Sequence, residues 1–119
     1  MKIAVTAQTN TPEGTIDTRF GRARWLMIYD EDLDSWEAIE NVQNLQAAQG
    51  AGIQSAANIV NAGCGVLISG HCGPKAFDVF CRESVEVYTM TEGTAREAVD
   101  AYFGGVLNKL EKADVDGHW

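Results

Sequence analysis

Cysteine is too sparse and too irregular in this sequence to staple a fold. Cys64, Cys72 and Cys81 fall at unrelated separations, which is not the paired spacing of a disulfide framework. No C-x-x-C pair exists, so the dithiol of a thioredoxin-like redox enzyme is missing. No apolar run approaches the roughly 20 residues needed to span a bilayer. Positive charge is also short: nine Lys and Arg stand against seventeen Asp and Glu, a net charge of −8. That balance excludes nucleic acid as a general partner. Internal repeats, low-complexity tracts and domain linkers are absent from the 119 residues, so we expect one domain. A chain of this size buries about two thirds of its unfolded surface and needs no metal merely to fold. Met1-Lys2-Ile3-Ala4-Val5 passes directly into a strand pattern. With the cysteine usage, this leads us to expect no signal peptide and a reducing cytoplasm. Monomer is the default at this net charge.

What is present is unevenly distributed. Residues 30–40 hold six of the seventeen acids, while 19–24 hold Arg19, Arg22 and Arg24 and no acid. An acidic protein with one basic cluster is a candidate for binding a small anion. The acids of 30–40 read as a solvated turn and strand face.

The centre of the pattern is Gly65-Val66-Leu67-Ile68-Ser69-Gly70-His71-Cys72-Gly73-Pro74-Lys75. Its apolar run suits a central strand buried on both faces. Gly70 and Gly73 then frame His71 and Cys72, residues suited to a soft or borderline metal. Pro74 fits the first position of a helix, and Lys75 adds a cation. A glycine-framed loop opening a helix offers backbone N–H groups and the positive end of a helix dipole.

Along the chain, Lys2 to Ala7 reads as strand one and Gln8 to Thr18 as a polar loop longer than a tight turn requires. Trp25 to Tyr29 is strand two. Trp36 to Val42 is a third strand, with a short helix as the alternative. Asn44 to Gly52 is a connection. Ile53, Ala56, Ala57 and Val60 mark one helical face, ended by Gly63. Val66 to Ser69 is strand four. Pro74 to Arg82 is a helix with Phe77, Phe80 and Cys81 inward, and Val85 to Tyr88 is a fifth strand near an edge. Thr94-Ala95-Arg96-Glu97 forms a capping box. The helix it opens is expected to bury Ala95, Ala98, Val99, Tyr102, Val106 and Leu110. The predicted domain is 1–112, with a polar tail at 113–119.

This order, β-β-β-α-β-α-β-α, is an α/β domain. Three strands pair as an antiparallel meander, and strand four enters beside strand one by a right-handed crossover. The predicted mixed sheet has five strands in order 3-2-1-4-5, with helices on both faces. A crevice should open at the carboxyl ends of strands one and four. Strand two begins at that same end, just after Arg19, Arg22 and Arg24. The basic loop and the His71-Cys72 loop should therefore converge, about fifty residues apart in sequence.

Phe20-Gly21-Arg22-Ala23, the strand into Gly70-x-x-Gly73-Pro74-Lys75-Ala76-Phe77, and Thr94-Ala95-Arg96-Glu97-Ala98-Val99 together resemble the nitrogenase iron–molybdenum cofactor carrier and biosynthesis family. This NifX-like domain is also found at the end of NifB. The resemblance covers about residues 1–107. It implies a ribonuclease-H-like three-layer fold and non-catalytic binding of a metal–sulfur cluster. Members often carry His where this chain has Arg19, and many have small or apolar residues where it has His71 and Cys72. An arginine-rich rim suits a polyanion held largely without covalent bonds. The orange-protein subgroup carries such a guest, a molybdenum–copper–sulfide cluster. The iron–molybdenum cofactor or a precursor is the alternative cargo, and an ATPase or cofactor-assembly protein is an implied partner.

The candidate cofactor-binding residues are therefore Arg19, Phe20, Gly21, Arg22, Gly70, Gly73, Pro74 and Lys75, with His71 and Cys72 as metal ligands. Phe20 reads chiefly as the anchor of its loop, and the glycines as backbone positions whose N–H groups serve the ligand. Two side chains do not complete a tetrahedral zinc site. Cys64 and Cys81 read as packing residues, and His118 lies in the tail. A two-metal nuclease would need clustered carboxylates, which neither loop supplies. A metal-free regulatory module that binds a protein is the remaining alternative.

Overall fold

A computed structural model of the chain describes residues 1–41 and 51–111, with 51–53 described by backbone alone. The elements are β1 (Lys2–Ala7), β2 (Trp25–Asp30), β3 (Ser35–Glu40), α1 (Ala51–Asn61), β4 (Val66–Ser69), α2 (Pro74–Arg82), β5 (Glu86–Thr89), α3 (Ala95–Phe103) and β6 (Asn108–Lys109). They build one mixed sheet in the order β3-β2-β1-β4-β5-β6. β1 pairs antiparallel with β2 and parallel with β4, and β4 pairs parallel with β5.

The centre of the sheet is apolar at both parities, so each face acquires its own core. Ala4, Leu26, Ile28, Leu67 and Val87 pack with Ala56, Ile59, Ala76 and Phe80 beneath α1 and α2. Ile3, Val5, Met27, Val66 and Ile68 pack with Ala95, Ala98 and Val99 of α3. Alternation of side chains along each strand makes these two sets exclusive. The result is the helix–sheet–helix layering that the sequence predicts, with the first five strands in the predicted order.

Five details differ. A sixth strand is present: Asn108 and Lys109 pair antiparallel with Thr89 and Tyr88, and cover the edge of β5. The third helix stops at Phe103 because Gly104 caps it and Gly105 turns left-handed at φ 73°. Val106 consequently stays 72% exposed instead of joining the helix's buried face. Cys81 is exposed rather than inward, and Phe77 is half-buried, so Ala76 and Phe80 form the buried face of α2. On α1 the buried positions are Ser55, Ala56 and Ile59, with Ala57 and Val60 half-buried. The third element is a strand, but it ends at Glu40. Val42, most of the 44–52 connection and the 113–119 tail lie outside the described residues.

Gly63 ends α1 in the left-handed region, φ 82°, and delivers Cys64 into the core at 6% exposure. Burial pushes the Cys64 thiol up to about 11. The folded state thus resists ionisation that the unfolded chain accepts near the ordinary thiol value of 9.0. This thiol's contribution to stability is complete below pH 9 and is lost as pH rises towards about 11. Cys64→Ala should flatten the alkaline fall in unfolding free energy over that window, measured by denaturant titration at a series of pH values. An unchanged slope would assign the fall to other groups.

Candidate functional site at the carboxyl ends of β1 and β4

β1 and β4 end side by side, and buried polar groups fix how the chain leaves them. The Thr6 hydroxyl donates to the Asp17 carbonyl oxygen at 2.6 Å and shares a 2.8 Å hydroxyl–hydroxyl bond with Ser69. The Asp17 N–H donates back to the Thr6 carbonyl at 2.8 Å. Thr6, Asp17 and Ser69 are all buried, where an unmade hydrogen bond would cost about 1–3 kcal/mol. The end of the 8–18 loop is therefore fastened to both central strands.

Just beyond, the two loops touch. A Cβ placed on Gly70 would lie 2.6 Å from Thr18 Cβ, 2.7 Å from its Cα and 2.8 Å from its carbonyl oxygen. Glycine is required here by close approach of backbones. One residue further on, Arg19 and His71 form a parallel bridge, and the Phe20 N–H donates to the His71 carbonyl at 3.4 Å. The convergence expected from strand direction is present as a backbone pairing.

The Arg19–Arg22 segment is a tight turn. The Arg22 N–H donates to the Arg19 carbonyl at 3.1 Å, and Gly21 sits at φ 88°. A positive φ at the third turn position is the type II requirement that favours glycine. Phe20 is fully buried beneath it and meets Phe80 of α2 edge-on, with centroids 5.4 Å apart. The exit of the turn is held by Asn41. Its side-chain amide donates to the Ala23 carbonyl at 2.9 Å and to the Ser55 hydroxyl at 3.0 Å.

The predicted residues divide into those that could meet a guest and those that build the frame. Arg19, Pro74 and Lys75 are exposed, and Arg22 and His71 are half-exposed. Phe20, read from sequence as cofactor-binding, has no accessible surface and positions the turn instead. Gly21, Gly70 and Gly73 are buried, so only their backbones are available. His71 and Cys72 diverge: Cys72 is 1% exposed and joins the apolar cluster of Phe20 and Phe80. In this conformation the pair cannot present both side chains to one metal. Among the described residues, no three His, Cys, Asp or Glu side chains are grouped to hold a metal ion.

Gly73 is the N-cap of α2 without any side-chain cap, and Pro74 occupies the first turn. The start of α3 differs. Thr94 and Glu97 form the capping box, while the Ala95 and Arg96 N–H groups donate to the carbonyls of Gly14 and Pro12. The chain itself thus closes the amino end of α3.

Sequence reasoning missed Asp17. Its carboxylate accepts the Arg19 N–H at 2.9 Å and lies 3.5 Å from Arg19 Nε. An acid two residues before a basic turn, able to bond its own backbone two residues on, was the available signal. Asp17 orients Arg19 and offsets part of its charge.

The family model described as dinitrogenase iron–molybdenum cofactor matches residues 1–105. An uncharacterised protein of Methanocaldococcus jannaschii is 31% identical over 114 residues, covering 93% of this chain and 92% of that relative. The apo form of the orange protein from Desulfovibrio gigas superposes with a TM-score of 0.92 at 32% identity, covering 96% of each chain. A NifB-type protein from Thermotoga gives a TM-score of 0.85 at 29% identity, covering 98% of each. Match and architecture agree with the residues that suggested the resemblance, and the chain belongs to the dinitrogenase iron–molybdenum cofactor family.

Proposed function

We propose that this protein is a non-catalytic carrier or storage protein for an anionic molybdenum–sulfur cluster, with molybdenum–copper–sulfide as the favoured cargo. The observation that carries the reading is the Arg19–His71 bridge. It unites an arginine-bearing turn with a glycine-framed helix entrance beside the central strands. A cluster that brings its own sulfides needs charge, N–H donors and a shaped rim more than a complete protein ligand set. Arg19, Arg22 and Lys75 supply the charge in this reading, and His71 supplies a side chain able to meet a metal edge. Pro74 sets the helix entrance, and the backbones of Gly21, Gly70 and Gly73 let the guest approach. Cys72 would become a ligand only if its loop turned outward. The likeness to the orange protein favours this cargo over the iron–molybdenum cofactor or its precursor. A cytoplasmic monomer that exchanges cargo with an ATPase or assembly protein completes the reading. Among the described residues no helix is long and apolar enough to cross a membrane.

The test is anaerobic reconstitution with tetrathiomolybdate and copper(I), reading the visible spectrum and the bound metal ratio. Arg22→Ala and His71→Ala should each weaken retention by about tenfold or more, since a charge-assisted contact is worth about 1.5–3 kcal/mol. Cys72→Ala should leave the spectrum intact. Colour that survives both site substitutions would move the cluster elsewhere. Uptake of iron–molybdenum cofactor but not of copper–molybdenum sulfide would assign the nitrogenase-type cargo, and failure of both would favour a metal-free regulatory module.

A further inference from the structure

The opposite end of the molecule carries a second surface of distinct chemistry. β2 finishes there, β3 begins there, and α3 ends there at Phe103. Aromatic rings cross it in a chain. Trp36 meets Tyr29 at 5.1 Å between centroids, Tyr29 meets Phe103 at 6.4 Å, and Phe103 meets Tyr102 at 5.3 Å. These rings are not fully covered: Phe103 is 47% exposed, and Tyr29, Trp36 and Tyr102 are half-exposed. Leu33, in the turn between β2 and β3, is 73% exposed. α3 is the one described helix on this face of the sheet, and its contacts centre on β1. Among the described residues the β2–β3 half has no helix of its own.

Carboxylates rim the rings. Asp34 accepts a 2.7 Å hydrogen bond from the Tyr29 hydroxyl. That hydrogen bond, then desolvation, then the negative charges of Asp34, Glu31 and Asp100 raise the pKa of the phenol. One cation already lies on the face and is neutralised there: the Arg96 guanidinium, ion-paired with Glu13 at 2.8 Å, sits over the Trp36 ring, 5.9 Å from its centroid. Aromatic faces attract cations, and carboxylates beside them strengthen the attraction.

We propose that the Trp36–Tyr29–Phe103–Tyr102 strip and its acidic rim form a docking surface for a partner protein segment in which arginine or lysine alternates with apolar side chains. An exposed apolar strip with a polar rim is the usual form of an interaction site. Charge complementarity selects this occupant. Nucleic acid and anionic lipid would be repelled by the rim. A second copy would bring the same carboxylates and a net charge of −8 against the first. The strip lies at the end of the sheet away from the Arg19–His71 bridge, so a partner seated on it leaves the candidate cluster site open. The inference does not depend on what that site holds.

The experiment is a titration of the full-length 15N-labelled protein with a short peptide alternating arginine and leucine. Peptides alternating arginine with serine, and glutamate with leucine, are the comparisons. The arginine–leucine peptide should bind, with shift changes centred on Tyr29, Trp36, Tyr102 and Phe103. Phe103→Ser should weaken binding by about tenfold, the scale of a buried aromatic anchor. Glu31→Gln should weaken it less and reduce its salt dependence. Both substitutions are at exposed positions and should leave unfolding little changed. Equal binding of the arginine–serine peptide would reduce the effect to general electrostatics and overturn the proposal. Equal binding of the glutamate–leucine peptide, binding mapped elsewhere, or no binding would also overturn it. Self-association abolished by Phe103→Ser would assign the strip to a second copy. Nuclear Overhauser contacts from Trp119 to the Phe103 ring would assign it to the chain's own tail. Either result would replace the proposed partner.

Discussion

Phe20→Ala should lower the unfolding free energy by about 3–5 kcal/mol, the usual range for removing a fully buried phenylalanine, and should abolish cargo retention with it. Phe20 is 0% exposed and meets Phe80 edge-on at 5.4 Å, within the cluster shared by Leu26, Ile28 and Leu67. Two losses combine. The cavity forfeits packing around the ring, and the Arg19–Arg22 turn loses the side chain that pins it to α2. Against a typical total stability of about 5–15 kcal/mol, the variant will be marginal. Folding and binding are therefore read separately, by denaturant titration and by metal retention. Phe20→Leu supplies the intermediate case: it keeps an apolar anchor and should recover most of the stability and part of the retention. A loss below about 1 kcal/mol for the alanine variant, far under the range for such a truncation, would mean that the turn is not anchored through this ring.

Gly70→Ala is the second large effect, and its cause is different. Gly21 needs its residue type because φ is 88°; Gly70 needs it because Thr18 is in the way. A methyl group would meet Thr18 Cα at 2.7 Å and its carbonyl oxygen at 2.8 Å, so backbone must shift. Overpacking of this kind costs about 1–3 kcal/mol. The shift would push Thr18, and Arg19 after it, away from His71. Cargo retention should fall further than stability. Thr18→Ala made in the Gly70→Ala background should fail to rescue it, because the obstructing Cβ, Cα and carbonyl oxygen all remain in alanine. Recovery in the double variant would show that the Thr18 hydroxyl and methyl groups obstruct instead.

Why some of this was legible in the sequence and some was not follows from where each signal resides. Strand direction and crossover handedness are properties of order, so they placed the Arg19 and His71 loops together without any contact information. The apolar run of β4 and the capping box at Thr94 are local and carried their own meaning. The sixth strand had no such signal: Asn108 and Lys109 are exposed, polar and two residues long, and pair only because β5 offers an edge. The helical period did continue through Val106 and Leu110, but Gly104 and Gly105 outweigh it by ending the helix in a left-handed turn. Cys72 looked like a ligand because its residue type is one. Its direction depends on the space beneath the loop, which Phe20 and Phe80 define. Asp17 and Asn41 were hidden for the same reason. Each is a polar residue whose importance lies in the carbonyls and amides it reaches across the fold.

The parallel pairing of β1 with β4 also sets the sequence of events in folding. β2 and β3 close through the four residues 31–34 and β1 joins β2 across residues 8–24, whereas the Ile3–Val66 partnership joins segments much farther apart along the chain. Closing so long a loop carries an entropic cost before any contact rewards it. Until β4 arrives, the inner edge of β1 is an open row of amides and carbonyls flanked by apolar side chains, a template for wrong partners. The Arg19–His71 bridge cannot form before that edge is filled. A guest held there engages contacts made late, so its main kinetic effect should be to slow unfolding rather than to hasten folding. Loading would then act as the final quality check on the chain.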